Sequence, residues 1–393
     1  MKRKIFLLAC LTTLFLSVPA LAQNNEEVNF NVLLETFGAI KGQYVEHVTE
    51  NRKLVYGAIR GMLETLGDPY SRFMEPTDNS EMKTRLDGEF FGIGIQIGIK
   101  DNFLIVISPI EDTPAFKAGL KAKDQIVRID GKNTKGISLS EAVSKIRGPK
   151  GSPVVLGINR PTLTPAKEFN ITVNRDVIKL KSMTGTEVVT KNIGYTRLTT
   201  FESKQMMEEM TVALKKLEKE NIKGLIMDVR DNGGGLLQNA ILASSVFLDN
   251  GQDIVHTKAR DGIVDTKSAV NVQLKFKKPL IVLVNGNSAS ASEIFAGAIM
   301  DNGRGITMGS KTFGKASVQN VKELRDGFAV LITIAKYTTP KFTDITKIGI
   351  KPDIEVKVPT KNLEMISSAN YVYDKKDDYT LQQAIKTMQD LIK

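Results

Sequence analysis

Apolar residues recur at helical spacing over the first part of the chain, beyond a short apolar run at its start. One stripe extends from Val32 to Ile40 and a second from Leu54 to Leu63, and both stop before the turn sequence at 67–70. The pattern predicts a helical region over residues 28–80, and the periodic stripes within it stop at this turn.

The spacing changes to short β-rich runs between residues 88 and 176. The runs are separated by Gly, Pro, Asp and Asn, and one helical pattern at Ser140–Ile146 interrupts them. They are Ile93–Ile99, Phe103–Ile107, Gln125–Ile129, Val154–Ile158 and Phe169–Val173. This stretch predicts a small, mainly β module.

Strand and helix patterns alternate from residue 185 to 358. Lys223–Val229 and Pro279–Asn285 are apolar strands, and helical patterns follow them at Leu236–Leu248 and Ala291–Met300. An amphipathic helix over Ser203–Glu220 precedes them, with a methionine-rich stripe that we expect in the core. The alternation predicts an α/β arrangement in which helices cover at least one face of a sheet.

The first residues have the pattern of a secretory signal peptide. Lys2, Arg3 and Lys4 precede an apolar run to Val18, and a small-x-small site at 20–22 is followed by polar residues. This predicts export to the periplasm or cell envelope, with no membrane span in the mature protein. Residues 7–10 also resemble a lipoprotein box, so a lipid anchor stays an alternative.

The amino-acid composition excludes several kinds of catalytic and metal-binding site. The 393-residue chain has 41% apolar and 25% charged residues, which is ordinary for a globular protein. Its single cysteine, Cys10, lies in the predicted signal peptide, which excludes disulfides, thiolate metal sites and a cysteine nucleophile from the mature chain. With only two His residues a multi-histidine metal site is excluded as well, and we expect no cofactor.

The net charge of +10 comes from Lys and Arg residues that are interleaved with Asp and Glu. The sequence has no Trp and no basic run with interleaved aromatics. We therefore expect a lysine-rich surface and no nucleic-acid partner.

Two turns between a strand and a helix carry candidate chemistry. Asp228–Gly235 ends in three glycines, which free backbone N–H groups to face a phosphate or a developing oxyanion. Asn285–Glu293 contains Ser288, Ser290 and Ser292, and a serine at such a turn can act as a nucleophile. Taken alone, each turn also fits a structural role, as a tight turn or as a helix cap.

A third segment, Gly309–Ser317, nearly matches a nucleotide-binding P-loop. Ala316 replaces the magnesium-binding hydroxyl and a strand pattern follows, so we reject that interpretation. Lys315 could instead be the base for a serine, if burial beside Phe313 lowers its pKa by roughly three units. Gln319 would point to the same face of a strand and orient the amine. A Ser-His-Asp triad is the less supported alternative, because neither His has a recognisable catalytic context.

Together these segments resemble the carboxyl-terminal processing proteases, the S41 family of serine peptidases. The resemblance rests on Ser288–Glu293, Lys311–Gln319, Asp228–Gly235 and the turn Asp68–Phe73, and it runs from about residue 30 to 358. It implies a multidomain α/β fold, with an N-terminal helical region, a PDZ domain and an α/β catalytic core of the ClpP/crotonase-like type.

The resemblance also implies roles for particular residues. The family's nucleophile, general base and orienting residue fall on Ser290, Lys315 and Gln319. Its oxyanion donors fall on the backbone N–H groups of Ala291 and Gly234. A glycine stands at 233 where the family often has Pro, which leaves the choice between Gly234 and the next glycine open.

The β module then resembles a PDZ domain, in which Gly92, Ile93, Gly94 and Ile95 correspond to the carboxylate-binding loop. A glycine-rich turn presents N–H groups to a terminal carboxylate while the peptide adds a strand to the sheet edge. Ile93 and Ile95 would help form the pocket for the last side chain. A purely structural β module is the alternative.

The implied protein is an exported serine endopeptidase that cleaves proteins or peptides with apolar C-termini near those termini, without a cofactor. A catalytically inactive PDZ scaffold and a crotonase-like acyl-group enzyme are the alternatives. Self-association and an adaptor protein are left open as partners. The predicted division is 1–22 signal peptide, 23–83 helical region, 84–176 PDZ domain, 177–358 catalytic core and 359–393 C-terminal tail with a helix at Leu381–Ile392.

Overall fold

The structure is a computed structural model. It describes residues 30–47, 50–100, 103–110, 113–121, 123–160, 167–179, 181–362 and 374–393. The chain divides into two compact units, residues 1–62 and 63–393, and each is considered by itself. The predicted signal peptide lies outside the described residues. No helix in the described ranges is both long enough and apolar enough to cross a membrane.

The first unit contains helices α1 (Phe30–Gln43) and α2 (Asn51–Glu64). They correspond to the two stripes of the sequence. Neither helix buries a residue, and large side chains such as Phe30 and Leu34 are two-thirds exposed. The predicted turn follows α2, and the rest of the region predicted as helical contains a short strand and one more helix.

The β module is built on antiparallel strands with two short helices against them. Alternate strand residues, among them Val106, Leu156 and Ile158, are completely buried in its own core. Its elements are β2 (Glu89–Gly92), β3 (Ile95–Lys100), β4 (Phe103–Pro109), α4 (Pro114–Lys117), β5 (Gln125–Ile129), β6 (Lys132–Asn133), α5 (Leu139–Ile146), β7 (Pro153–Arg160), β8 (Lys167–Asn174) and β9 (Asp176–Lys179). The main sheet has the order β3-β4-β5-β7-β8, and β2 pairs with β9.

A largely parallel sheet forms the centre of the α/β region. Its strands are β10 (Met183–Thr190), β11 (Ile193–Leu198), β12 (Gly224–Asp228), β15 (Leu280–Val284), β16 (Ile306–Gly309) and β19 (Ile354–Glu355), in that order. All pairs except β10–β11 are parallel. β12 and β15 are buried along their whole length, as their continuous apolar sequences predict.

Helices cover both faces of this sheet. Helices α6 (Met206–Lys219), α7 (Leu237–Phe247) and α8 (Ala291–Asp301) share one core cluster, which confirms the predicted buried methionine stripe of α6. The opposite face packs against α9 (Tyr379–Leu391), which buries Leu381, Ala384 and Met388 there. The predicted C-terminal helix is therefore a layer of the fold, held by its apolar stripe.

An ion cluster fixes the start of α9. Asp378 accepts the N–H of Leu381 at the helix N-terminus and pairs with Arg230 at 2.6 Å. Arg230 also pairs with the buried Asp228, which accepts a hydrogen bond from Tyr195 Oη at 2.8 Å. The second strand of the central sheet, the glycine turn and the C-terminal helix are thus tied at one point.

A second sheet brings the N-terminal turn to the α/β region. It contains β1 (Arg72–Met74), β13 (Asp253–Ala259), β14 (Val264–Ser268), β17 (Ser317–Glu323) and β18 (Ala329–Thr338). β1 pairs with β18, and α3 (Pro76–Leu86) follows it. β17 pairs with β18 as well, so the chain around residue 70 and the chain after Lys315 meet on one strand.

Candidate active site

Ser290 stands at the turn between β15 and α8. Its backbone has φ 56° and ψ −117°, a conformation that residues with a side chain rarely adopt. Such strain persists only where surrounding contacts hold it. Ser290 is the N-cap of α8, and a strained strand-to-helix turn of this kind is also where a nucleophilic serine can stand, a role that stays a prediction here.

The three serines of this turn have different surroundings. Ser288 Oγ donates to Val229 O at 2.8 Å, and Ser292 Oγ donates to Asn232 O at 2.8 Å. Both are completely buried and tie the serine turn to the glycine turn. Ser290 instead lines an open cavity, so it is the serine of this turn that a substrate can reach.

Glu293 joins the serine turn to the lysine segment. Its completely buried carboxylate accepts the backbone N–H of Ser290 at 2.9 Å, of Gly314 at 2.7 Å and of Lys315 at 2.9 Å, and the hydroxyl of Thr312 at 2.6 Å. Burial raises its pKa above the ordinary value although these hydrogen bonds oppose the shift. From the sequence, Glu293 was identifiable only as part of the serine turn. Its contacts with residues 312–315 depend on the tertiary fold.

Tyr337 supplies a second link between the same segments. Its buried hydroxyl lies within hydrogen-bond distance of two carbonyl oxygens, that of Ser290 at 3.2 Å and that of Lys315, and can donate its one proton to either. Burial, with Glu293 nearby, raises the pKa of Tyr337 well above its usual value, so the phenol stays a donor. The backbones that carry Ser290 and Lys315 are therefore held from two sides.

The Lys315 amine lies against an aromatic ring from a segment distant along the chain. Nζ is 4.7 Å from the ring centre of Tyr70, whereas Phe313, the predicted neighbour, is 55% exposed. Burial and the nearby Arg72 lower the pKa of Lys315, and Asp68 and Glu293 oppose that shift. Among the described residues no hydrogen bond joins Lys315 Nζ to Ser290 Oγ or to any other acceptor.

Gln319 lines the same cavity but by a different geometry from the expected one. Lys315 lies two residues before β17 begins at Ser317, so strand alternation does not extend from Gln319 to Lys315. Gln319 Nε2 donates to Ser317 Oγ at 2.8 Å and to Thr333 Oγ1 at 3.1 Å. Its orienting role stays a prediction.

The glycine turn makes a close contact with the serine turn. A Cβ on Gly234, where φ is +99°, would lie 2.6 Å from Ala289 O and 2.8 Å from Ala291 N. The Gly234 N–H, the predicted oxyanion donor, donates to Asn232 Oδ1 at 2.9 Å, and it is Gly233 and Gly235 that line the cavity. In the described part of the chain no acceptor receives the Ala291 N–H. Gly234 thus has a steric role here, and its role as a donor stays a prediction.

These segments surround a cavity of about 360 Å³. Ser290, Ala291, Lys315, Gln319 and Tyr337 line it, and apolar side chains make up much of the remaining wall. These apolar residues are Met82, Leu86, Leu236, Leu237, Ile294, Val318, Val321 and Leu331. Apolar side chains therefore line the same cavity as Ser290 and Lys315.

The predicted carboxylate-binding loop lies at a second, smaller cavity in the β module. Gly92, Ile93, Gly94 and Ile95 line a space of about 100 Å³ between β3 and α5, with Arg147 beside it. Gly94 has φ +78°, and Ile93 is only 1% exposed because most of its surface packs into the core. Its substrate-binding role stays a prediction.

Comparisons with known proteins agree with this fold. The chain matches the model of peptidase family S41 over residues 192–356, the PDZ domain over 80–159 and the activating protease CtpB N-terminal domain over 17–77. The fold and these matches define a serine-type peptidase with a PDZ domain, and its substrates are proteins or peptides.

Relatives along most of the chain identify the family. Carboxy-terminal processing protease CtpA of Bacillus subtilis is 38% identical over 330 residues, which cover 84% of this chain and 69% of that protein. The carboxy-terminal-processing protease of Bartonella bacilliformis is 40% identical over 355 residues, 88% of this chain and 80% of that protein. A solved photosystem II D1 C-terminal processing protease is 32% identical with a TM-score of 0.52, over 84% of this chain and 86% of that one. The chain belongs to the S41 family, among the carboxyl-terminal processing proteases.

Proposed function

We propose that this protein is an exported endopeptidase that cuts protein substrates near their C-termini with Ser290 as nucleophile and Lys315 as general base. The observation that carries the proposal is the common cavity: the hydroxyl and a half-buried amine line it together, and Glu293 bonds to the backbone of both. The lowered pKa of Lys315 supports the assignment, because a base must be neutral before it can accept a proton.

In the proposed reaction, Ser290 Oγ transfers its proton to neutral Lys315 Nζ and attacks the scissile carbonyl carbon. The N–H of Ala291, with an N–H of the glycine turn, would stabilise the oxyanion of the tetrahedral intermediate. Lys315 returns the proton to the leaving amine, which gives an acyl-enzyme. Water then attacks the acyl-enzyme with Lys315 again as the base, and Ser290 is regenerated.

The amine has to move from Tyr70 toward Ser290 before this reaction begins. A lysine side chain has four rotatable bonds, and the backbone that carries it is already fixed by Glu293 and Tyr337. Gln319 would hold the amine in the engaged position. An apolar substrate residue in the cavity would exclude water and favour the neutral amine.

The PDZ domain is the proposed site of substrate capture. A terminal carboxylate would bind at Gly92–Ile95, with Arg147 on the rim of the cavity. This assignment uses the domain division predicted above, in which the signal peptide occupies residues 1–22 and the catalytic core residues 177–358. Self-association would involve α1, whose apolar residues are exposed, and not α9, whose apolar stripe is buried.

The proposal is tested by incubating the protein with a substrate that has an apolar tail and reading the new C-terminus by mass spectrometry. We expect Lys315→Ala to lower kcat/KM by about 10²–10⁴-fold. Ser290→Ala should abolish cleavage, whereas Lys311→Ala and Ser310→Ala, exposed neighbours of the same residue types, should retain it. Amidation of the substrate C-terminus should raise KM by about tenfold, because it removes the charge that the loop would bind.

Two results would overturn the proposal. Full activity of Ser290→Ala or Lys315→Ala would remove that residue from the chemistry. Lack of any cleavage by the wild-type protein, with substrate still bound at the PDZ domain, would favour the non-enzymatic scaffold.

A further inference from the structure

The turn before β1 is held firmly on the strand that pairs with the lysine segment. Asp68 accepts the hydroxyl of Ser71 at 2.5 Å and the N–H of Tyr70 at 3.1 Å. Ser71 Oγ in turn accepts the N–H of Thr333 in β18 at 3.0 Å, and Arg72 pairs with Leu331. Tyr70 is therefore presented from a fixed backbone, not from a free loop.

The ring of Tyr70 is the contact of the Lys315 amine in this structure. The distance of 4.7 Å from Nζ to the ring centre is within the range of a cation–π interaction. Within the described residues, Nζ has no hydrogen-bond acceptor and no ion-pair partner. Ser290, Lys315 and Tyr70 line the same cavity, so the ring lies beside the reaction site.

We propose that Tyr70 is a positioning residue for Lys315: its ring holds the charged amine away from Ser290, and the amine leaves the ring when it becomes neutral. The ring face attracts an ammonium group but has no comparable attraction for a neutral amine. Deprotonation and engagement with Ser290 are thereby coupled. This inference rests on the proposed role of Lys315 as the base.

Other groups around the Lys315 amine also favour or disfavour its charged form. Arg72, on the same segment as Tyr70, disfavours the charged amine, as does burial of the amine itself. Asp68, and Glu293 on α8, favour the charged form. Tyr337 on β18 stays neutral, since its pKa is raised well above the ordinary value. The Tyr70 ring therefore acts in the same direction as the two carboxylates: it stabilises the ammonium form of Lys315 and opposes loss of its proton.

The sign of the effect follows from this balance. A ring that stabilises the ammonium raises the pH at which the base becomes neutral. Removing the π electrons should therefore move the acid limb of the kcat/KM profile to lower pH, by about 0.4–1.5 units. If Tyr70 had only a packing role, its replacement would change the plateau value of kcat/KM or the melting temperature. The pH of the acid limb would stay the same.

The experiment compares the pH dependence of kcat/KM for four proteins: wild type, Tyr70→Phe, Tyr70→Leu, and a protein in which 3,4,5-trifluorophenylalanine replaces Tyr70. The fluorinated ring keeps the shape of Phe and loses its negative face, so the comparison with Tyr70→Phe does not depend on whether Tyr70→Leu folds. We expect wild type and Tyr70→Phe to share the acid limb, and the trifluoro and Leu proteins to have it at lower pH.

Two outcomes would overturn the inference. One is that Tyr70→Phe and the trifluoro protein have their acid limbs at the same pH. The other is that the acid limb of Tyr70→Phe, which loses only the hydroxyl, differs from that of the wild type. Lys315→Ala in the same assay separates this failure from failure of the proposed function. If Lys315→Ala lowers kcat/KM by about 10²–10⁴-fold and the limb does not respond to fluorination, only the role of Tyr70 is wrong. If Lys315→Ala keeps full activity, the role of Lys315 as base is wrong.

Discussion

Glu293 is the residue whose contacts hold the candidate site together. Its carboxylate accepts hydrogen bonds from the serine turn and from the segment at 312–315, although it is completely buried and its pKa is raised. A buried carboxylate that satisfies several backbone donors is costly to replace, because each donor would lose its partner. It fixes the relative position of the two backbones and leaves the reacting side chains free to move.

Replacement of Glu293 tests this role. Glu293→Gln puts an NH₂ group against N–H donors, and we expect it to lower the free energy of unfolding by about 2–4 kcal/mol and to reduce kcat/KM. Glu323→Gln makes the same chemical change at a half-exposed residue that contacts Lys83 and Asn79. It should change stability by about 0.5 kcal/mol or less. Urea denaturation of both variants provides the measurement, and equal losses would contradict the proposed link.

At the level of single residues, the sequence predicted which residues form the site better than it predicted which of them are in contact. Ser290 and Lys315 were predicted, and both line the cavity. The aromatic partner was expected to be the adjacent Phe313, but the ring against the amine belongs to Tyr70, which is distant along the chain. Local sequence cannot indicate such a contact, because the pairing of β1 with β18 creates it.

Among the elements, the decisive contact is between the glycine turn after β12 and the serine turn after β15. These strands are adjacent and parallel, so their C-terminal ends and the turns that follow lie side by side. Ser288 and Ser292 bond to carbonyl oxygens of the other turn, and Gly234 allows the two backbones to approach. The strained backbone of Ser290 depends on this fit.

A methyl group at Gly234 should therefore disturb the nucleophile. In Gly234→Ala the new Cβ would lie within 2.8 Å of backbone atoms that cannot move cheaply. We expect kcat/KM to fall about 100-fold. Gly251→Ala is the matched control, since Gly251 also has a positive φ, +86°, but nothing lies within 4 Å of the added Cβ. It should cost about 1–2 kcal/mol of stability and little activity, and equal activity in both variants would count against the steric role.

Most elements were predictable because their periodicity is strong. The buried strands β12 and β15 and the helices after them follow directly from apolar runs and helical stripes. The alternation that related Gln319 to Lys315 does not apply, because β17 begins only at Ser317, and the bulge in its pairing with β18 lies at Ile334 of β18. Strand starts and bulges depend on partner strands, which a single sequence does not specify.

In the whole molecule, the central sheet is covered on both faces, with α6, α7 and α8 on one and α9 on the other. The amphipathic pattern predicted the last helix but not its place, which depends on the match of its stripe to Ile226, Ile281 and Leu283 and on the Asp378–Arg230 pair. This packing fixes the strands whose ends carry the two turns. The cavity is then built from segments around residues 70, 235, 290 and 315.

The proposed mechanism depends most on the amine at position 315 acting as the base. This role is tested directly by replacing Lys315 with an amine of different basicity. In a Cys10→Ser background, Lys315→Cys introduces the single thiol of the chain, and aminoethylation converts that cysteine to thialysine. The thioether makes this amine less basic than that of lysine, so it becomes neutral at lower pH. We predict that Lys315→Cys is inactive, that aminoethylation restores cleavage, and that the acid limb of kcat/KM lies at lower pH than in the wild type. Restored activity with an unchanged limb, or full activity of unmodified Lys315→Cys, would contradict the account.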